Sequence, residues 1–111
     1  MANYVALRGK AVVGPLVFVG FLLGAAPSQA NEALARKNDC LGCHAVATKL
    51  VGPAYKDVAA KYAGQADAQA VLVQSIRNGS VGKWGELPMP AHPKISEADI
   101  KKLASWVLSA K

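Results

Sequence analysis

From Asn31 onward, apolar residues recur at intervals of three and four, and no stretch alternates apolar and polar positions for long. The pattern predicts helices and no strands. "NEALARKND" can open with Asn31 as N-cap and Glu32 in its first turn. "PAYKDVAAKYAG" puts Pro53 at a first helical position, gathers Tyr55, Val58, Ala59 and Tyr62 on one face, and ends at Gly64. "DAQAVLVQSIRNG" offers Asp67 as N-cap, apolar Leu72, Val73 and Ile76, and a stop at Gly79. In the last helix Ser96 and Asp99 form an acidic variant of the capping box, and Ile95 and Ile100 are spaced as a hydrophobic staple. Ile100, Leu103, Ala104 and Val107 then share one face, and this helix can run to the chain end. Between the third and last helices lies "GSVGKWGELPMPAHPK", with three glycines and three prolines in 16 residues, which excludes a regular helix. A loop of that length in a small domain is usually functional or disordered.

The first 30 residues follow another pattern. Arg8 and Lys10 precede an uncharged run from Ala11 to Ala26, and "PSQA" follows with Ser28 and Ala30 at the spacing a signal peptidase reads. This is the layout of a secretory signal. The rival is a retained membrane anchor, but the run is 16 residues and broken by Pro15 and three glycines, whereas a spanning helix needs about 20. No cysteine near the cleavage site invites lipid attachment. Residues 1–30 are therefore expected to be a cleaved signal peptide, and 31–111 one mature domain. Removing the leader lowers the basic count from 13 to 11 against seven acidic residues, so the net charge falls from +6 to +4. That mild excess suits an acidic protein surface. It lacks the dense basic run with interleaved aromatics that a nucleic-acid interface requires.

A mature chain of 81 residues usually needs a disulfide, a metal or a cofactor to supplement its core. Attention then falls on "NDCLGCHAV", which holds Cys40 and Cys43, the chain's two cysteines, and His44. A thioredoxin-like pair expects a βαβ context, which is missing. A structural zinc site needs four ligands; the candidates are Cys40, Cys43, His44 and His92, and adjacent Cys43 and His44 are awkward partners on one tetrahedral ion. A plain disulfide needs no histidine. Cys-x-x-Cys-His is the attachment signature of c-type haem and uses every residue. Cysteines three apart share one face of a helical turn, where both sulfurs can reach the vinyl groups on one porphyrin edge, and the next residue, His44, can place a nitrogen on the iron.

The iron's sixth position has two candidates. Once the signal is removed, Met89 is the only methionine, in "LPMP" between Pro88 and Pro90. A core methionine filling a gap is the bland reading, but a proline-stiffened loop is an unusual place for one. His92, in "AHP", is the competitor.

With these residues placed, the sequence resembles the short bacterial class I cytochromes c, the cytochrome c-551/c-552 group. "CLGCHAV", "KLVGPAYKDVAAKYAG", "IRNGSVGKWG", "LPMP" and "LASWVLSAK" match the group's pattern in order and span the mature chain. The resemblance implies an all-α class I cytochrome c fold, about four helices around one covalently bound haem c, with the first and last helices packed across each other. It implies thioether attachment at Cys40 and Cys43, and His44 and Met89 as axial iron ligands. It gives the Pro53 carbonyl a hydrogen bond from His44, and Trp84 a hydrogen bond to a haem propionate. Trp106 reads as core packing between the terminal helices. Some relatives carry a basic residue where this chain has Ser75. Serine supplies no charge, and Arg77, two residues on, points elsewhere. His92 and Pro93 also depart from the group's pattern.

A haem with both axial sites filled by protein leaves no position for substrate, so the expected function is one-electron transfer and not enzymatic catalysis. The alternative is a haem sensor or peroxidase-like domain with a labile sixth ligand. Leu41, Gly42, Leu50, Leu87 and Pro88 are candidates for an apolar docking rim, with Lys37, Lys49 and Lys83 around it. The resemblance implies a soluble, monomeric periplasmic carrier. Its expected partners are a quinol-cytochrome c reductase as donor and a terminal oxidase or nitrite reductase as acceptor, with no nucleic-acid role.

Overall fold

Among the described residues, four helices and one 3-10 turn follow in the order α1 (Pro27–Lys37), the turn Cys40–Gly42, α2 (Tyr55–Tyr62), α3 (Ala68–Asn78) and α4 (Glu97–Leu108). They are seen in a computed structural model that describes residues 9–20 and 27–111. Among the described residues the one β-type pairing is an isolated antiparallel bridge between Ser80 and Met89.

The last helix is the hub: α4 packs against α1, α2 and α3. Its buried stripe is the one the sequence predicts, Ile100, Leu103, Ala104 and Val107. Ile100 is completely buried, which contributes about 1.5–3 kcal/mol of transfer free energy. The small residues Ala35 of α1 and Ala104 of α4 are both fully buried in the same cluster, and so suit close approach of the terminal helices. Ser96 caps α4 as expected, its Oγ accepting from the Asp99 N–H at 3.2 Å. Ile95 packs against the core. The helix stops at Leu108, three residues before the chain end, where Ser109 Oγ donates to the Trp106 carbonyl at 2.6 Å.

Two helix starts differ from the sequence pattern, and one predicted cap makes no capping bond. α1 covers Pro27–Lys37 among the described residues, so Asn31 is an interior residue and not its N-cap. "SQA", between Pro27 and Asn31, contains nothing that stops a helix. α2 begins at Tyr55 with Ala54 as N-cap, so Pro53 lies outside it. Asp67 does occupy the N-cap position of α3, but its side chain makes no capping hydrogen bond. The glycine stops are as predicted: Gly64 and Gly79 follow α2 and α3 with φ of 76° and 79°.

Most of the expected signal peptide's ends, residues 1–8 and 21–26, lie outside the described residues. Within residues 9–20 there is no helix, and Val12, Val13, Leu16, Val17, Phe18 and Val19 are 74–91% exposed, so they contribute nothing to the core. No helix among the described residues is long and apolar enough to cross a membrane.

Candidate haem site

Both cysteines sit on one tight turn. Asp39 enters it in the left-handed conformation, φ 60° and ψ 17°, and the Cys40 carbonyl accepts from the N–H groups of both Cys43 (3.2 Å) and His44 (2.9 Å). Side chains three apart eclipse in a 3-10 turn, so Cys40 and Cys43 lie on one side. Both thiols are free; Cys40 is half-buried and Cys43 exposed. Burial pushes the Cys40 thiol up from its ordinary value, partly offset by a backbone hydrogen bond, and the nearby Asp39 carboxylate raises it further. That is opposite to the depressed value of a reactive redox cysteine. Among the described residues no three His, Cys, Asp or Glu side chains gather in a metal-holding cluster.

The histidine that follows is oriented by the next loop. His44 Nδ1 lies 2.8 Å from the Pro53 carbonyl oxygen. A carbonyl can only accept, so Nδ1 is the donor, and in the neutral ring Nε2 is the nitrogen with the lone pair. Pro53 is free to accept because α2 starts beyond it; the first carbonyl committed to α2 is that of Ala54, which takes the N–H groups of Asp57 and Val58. The loop is laced to the cysteine turn by Gly52 N–H to Cys43 (2.7 Å) and Tyr55 N–H to Ala45 (3.0 Å). Gly52 lies so close to the imidazole that a Cβ there would sit 2.8 Å from Nδ1. Tyr55 stacks on His44 with ring centroids 5.0 Å apart. Trp106 meets Tyr55 edge-on at 5.2 Å, so it ties α4 to α2 as well as filling the core.

Met89 is placed by a different device. Ser80 and Met89 exchange both backbone hydrogen bonds, at 3.0 and 2.8 Å, which pins the proline loop beside the end of α3. Gly79 makes this approach possible: a Cβ there would lie 2.7 Å from the Met89 carbonyl oxygen, and its φ of 79° with ψ of 176° is essentially restricted to glycine.

These parts converge on one cavity of about 910 Å³, including its solvent-open mouth. Cys43, His44, Pro53, Trp84 and Met89 all line it, with apolar walls from Val58, Leu72, Ile76, Leu87 and Val107. Cys40 does not line it but lies one turn away, packed against the core. His92 is not in the lining; its backbone N–H donates to the Ile76 carbonyl at 2.9 Å. Ser75 lines the cavity and Arg77 does not, being drawn to Glu97 of α4 at 3.8 Å. Of the expected rim, Leu50 and Leu87 are well exposed, while Leu41 is partly buried against the core.

Sequence reasoning missed Gly52, and read Tyr55 only as a core residue. No spacing signal marks either; the clue to Gly52 is its position just before Pro53. The lining suits a haem. An apolar cavity accepts the porphyrin, a lone-pair imidazole nitrogen and a soft thioether sulfur border the same space, and the paired cysteines flank it.

The comparisons with known proteins agree. The family model for cytochrome c matches residues 28–111. Cytochrome c-552 of Nitrosomonas europaea is 52% identical over 90 residues, covering 81% of this chain and 87% of that protein. Cytochrome c-551 of Pseudomonas aeruginosa is 56% identical over 80 residues, 72% of this chain and 76% of that protein. The crystal structure of wild-type Nitrosomonas europaea cytochrome c552 superposes with a TM-score of 0.70 at 52% identity, over 72% of this chain and 99% of that one. The chain belongs to the cytochrome c family, in its class I cytochrome c-551/c-552 group: an electron carrier, not an enzyme, with one covalently bound haem c.

Proposed function

We propose that the protein is a periplasmic carrier whose haem is attached through Cys40 and Cys43 and ligated by His44 and Met89. The observation that carries this is that His44, its Nδ1 held 2.8 Å from the Pro53 carbonyl oxygen, and Met89 line one cavity. Bound haem supplies one-electron exchange between ferric and ferrous iron. The chain's residues set the terms of that exchange. The Pro53 carbonyl holds the His44 proton and leaves Nε2 as the donor. The Met89 thioether, a soft ligand, favours the ferrous state. The apolar walls exclude water and act in the same direction. Trp84, at the cavity lining with an indole N–H, is suited to donate to a propionate.

With two protein ligands no coordination position is left for substrate, which favours a carrier over a sensor or peroxidase-like domain. Export is supported by the signal-like layout of residues 1–30 and by the exposed apolar run within it. The mature form is then Asn31–Lys111, soluble and monomeric, passing electrons from a quinol-cytochrome c reductase to a terminal oxidase or nitrite reductase. Exposed Leu50 and Leu87 offer a small apolar contact for such brief encounters. Mass spectrometry of the native protein tests both parts: the expected mass is a chain starting at Asn31 plus one haem that acid-acetone does not extract. Extractable haem contradicts covalent attachment, and an intact N-terminus in the membrane fraction contradicts the soluble mature form. Carbon monoxide binding by the ferrous protein at neutral pH would favour the labile-ligand alternative.

A further inference from the structure

This inference rests on the haem reading and identifies the group that balances the cofactor's charge. Haem carries two propionate carboxylates, and a carboxylate entering a mostly apolar cavity needs a cation or water beside it. Among the described residues that line the cavity, Lys83 is the only lysine or arginine, and no aspartate or glutamate lines it. Lys83 Nζ donates to Ser75 Oγ at 3.0 Å, which brings a loop cation to a residue of α3 that has no charge of its own. The loop backbone is fixed at the same place: Lys61 Nζ of α2 donates to the Lys83 carbonyl at 3.0 Å and lies 4.4 Å from the centre of the Trp84 ring. Neither Lys61 nor Lys83 is in an ion pair among the described residues. Two cations are therefore held around Ser75 and Trp84 with no acidic partner from the chain.

We propose that Lys83, positioned by Ser75 and by the Lys61 clamp on its backbone, is the counter-charge for a haem propionate. Ser75 orients the ammonium, and Lys61 keeps Trp84 and Lys83 on the same edge of the cavity. A cation here opposes the gain of positive charge on oxidation, so it favours ferrous iron.

The test is the midpoint potential of the haem-loaded protein in wild type, Lys83→Met, Lys83→Arg and Lys102→Met. Lys102 removes the same charge from α4, away from the cavity lining. Lys83→Met is expected to lower the ferrous-to-ferric ratio at fixed ambient potential at least threefold, about 28 mV at 59 mV per tenfold for one electron. Lys83→Arg is expected to restore most of the shift, and Lys102→Met to give less than a third of it. Redox-difference infrared spectra should show a displaced propionate carboxylate band in Lys83→Met and an unmoved one in Lys102→Met. If Lys83→Met loads haem poorly, the same two readouts on Lys83→Gln and Ser75→Ala decide, with the same direction expected. Equal shifts from Lys83 and Lys102, or an unmoved carboxylate band in the Lys83 variants, overturn the proposal. A wild type without covalent haem overturns the underlying haem reading too; haem-loaded wild type indifferent to Lys83 overturns this inference alone.

Discussion

His44 Nδ1 and the Pro53 carbonyl oxygen lie 2.8 Å apart, although nine residues separate them in the chain. The contact depends on where α2 begins. A helix starting at Pro53 would draw that carbonyl toward its own N–H ladder; starting at Tyr55, it leaves the oxygen to the imidazole. A backbone acceptor cannot lose its role by titration, so the histidine tautomer is fixed by the fold.

Gly52 guards that contact from the other side. Gly52→Ala would set a methyl 2.8 Å from Nδ1, between backbone and ring. The imidazole must shift or the loop must move, at a cost of about 1–3 kcal/mol. For a domain this small that is about 4–8 °C in Tm per kcal/mol. Thermal melts of the haem-loaded variant should show the loss together with a weakened low-spin spectrum; an unchanged melt and spectrum would mean the ring is not confined there.

Gly79→Ala tests the seat of Met89. Its backbone conformation is one that alanine adopts at a cost of about 1–3 kcal/mol, and the added methyl meets the Met89 carbonyl oxygen at 2.7 Å. Urea unfolding should show a stability loss of that order. The ferric far-red charge-transfer band of sulfur-ligated haem should weaken in parallel. Stability lost without any change in the band would separate Gly79 from ligand placement.

The helices and the attachment motif were legible in the sequence because both are local. Ser96, Asp99 and the apolar stripe of α4 lie within one helix, and Cys40, Cys43 and His44 within one turn. What the sequence left open depends on contacts between distant segments. Asn31 looked like a cap because nothing local marks a helix continuing back to Pro27. Pro53 fits either a helix start or a loop by its local preference, and its contact with His44 goes with the second. Gly52 shows no periodicity, because its smallness matters only when His44 lies over it. Ser75 read as a missing charge; Lys83 comes to it from a loop eight residues away, at a distance that helix periodicity does not govern.

Tyr55 gives the fold a dependence on alkaline pH. Burial, chiefly, pushes its hydroxyl well above the ordinary value of 10.0; the smaller contributions from Cys40 and Cys43 charge vanish when those sulfurs are thioethers. The folded state therefore keeps a proton that the unfolded chain gives up near pH 10. Above that pH the unfolded state binds fewer protons, so stability falls as pH rises, and it is intact below. Urea midpoints measured at pH 9 and pH 11 should drop more in wild type than in Tyr55→Phe. Equal drops in both would show that Tyr55 ionises as freely folded as unfolded.

The central claim is that His44 and Met89 fill both axial positions of the iron, and the ferric far-red absorption tests it most directly. A methionine–iron bond gives a weak charge-transfer band that bis-histidine haem lacks. The band should be present in wild type, absent in Met89→Ala, and retained in His92→Ala, whose residue lies outside the cavity lining. A band erased by His92→Ala, or left intact by Met89→Ala, would contradict the assignment and remove the basis for reading this protein as a carrier with a closed coordination sphere.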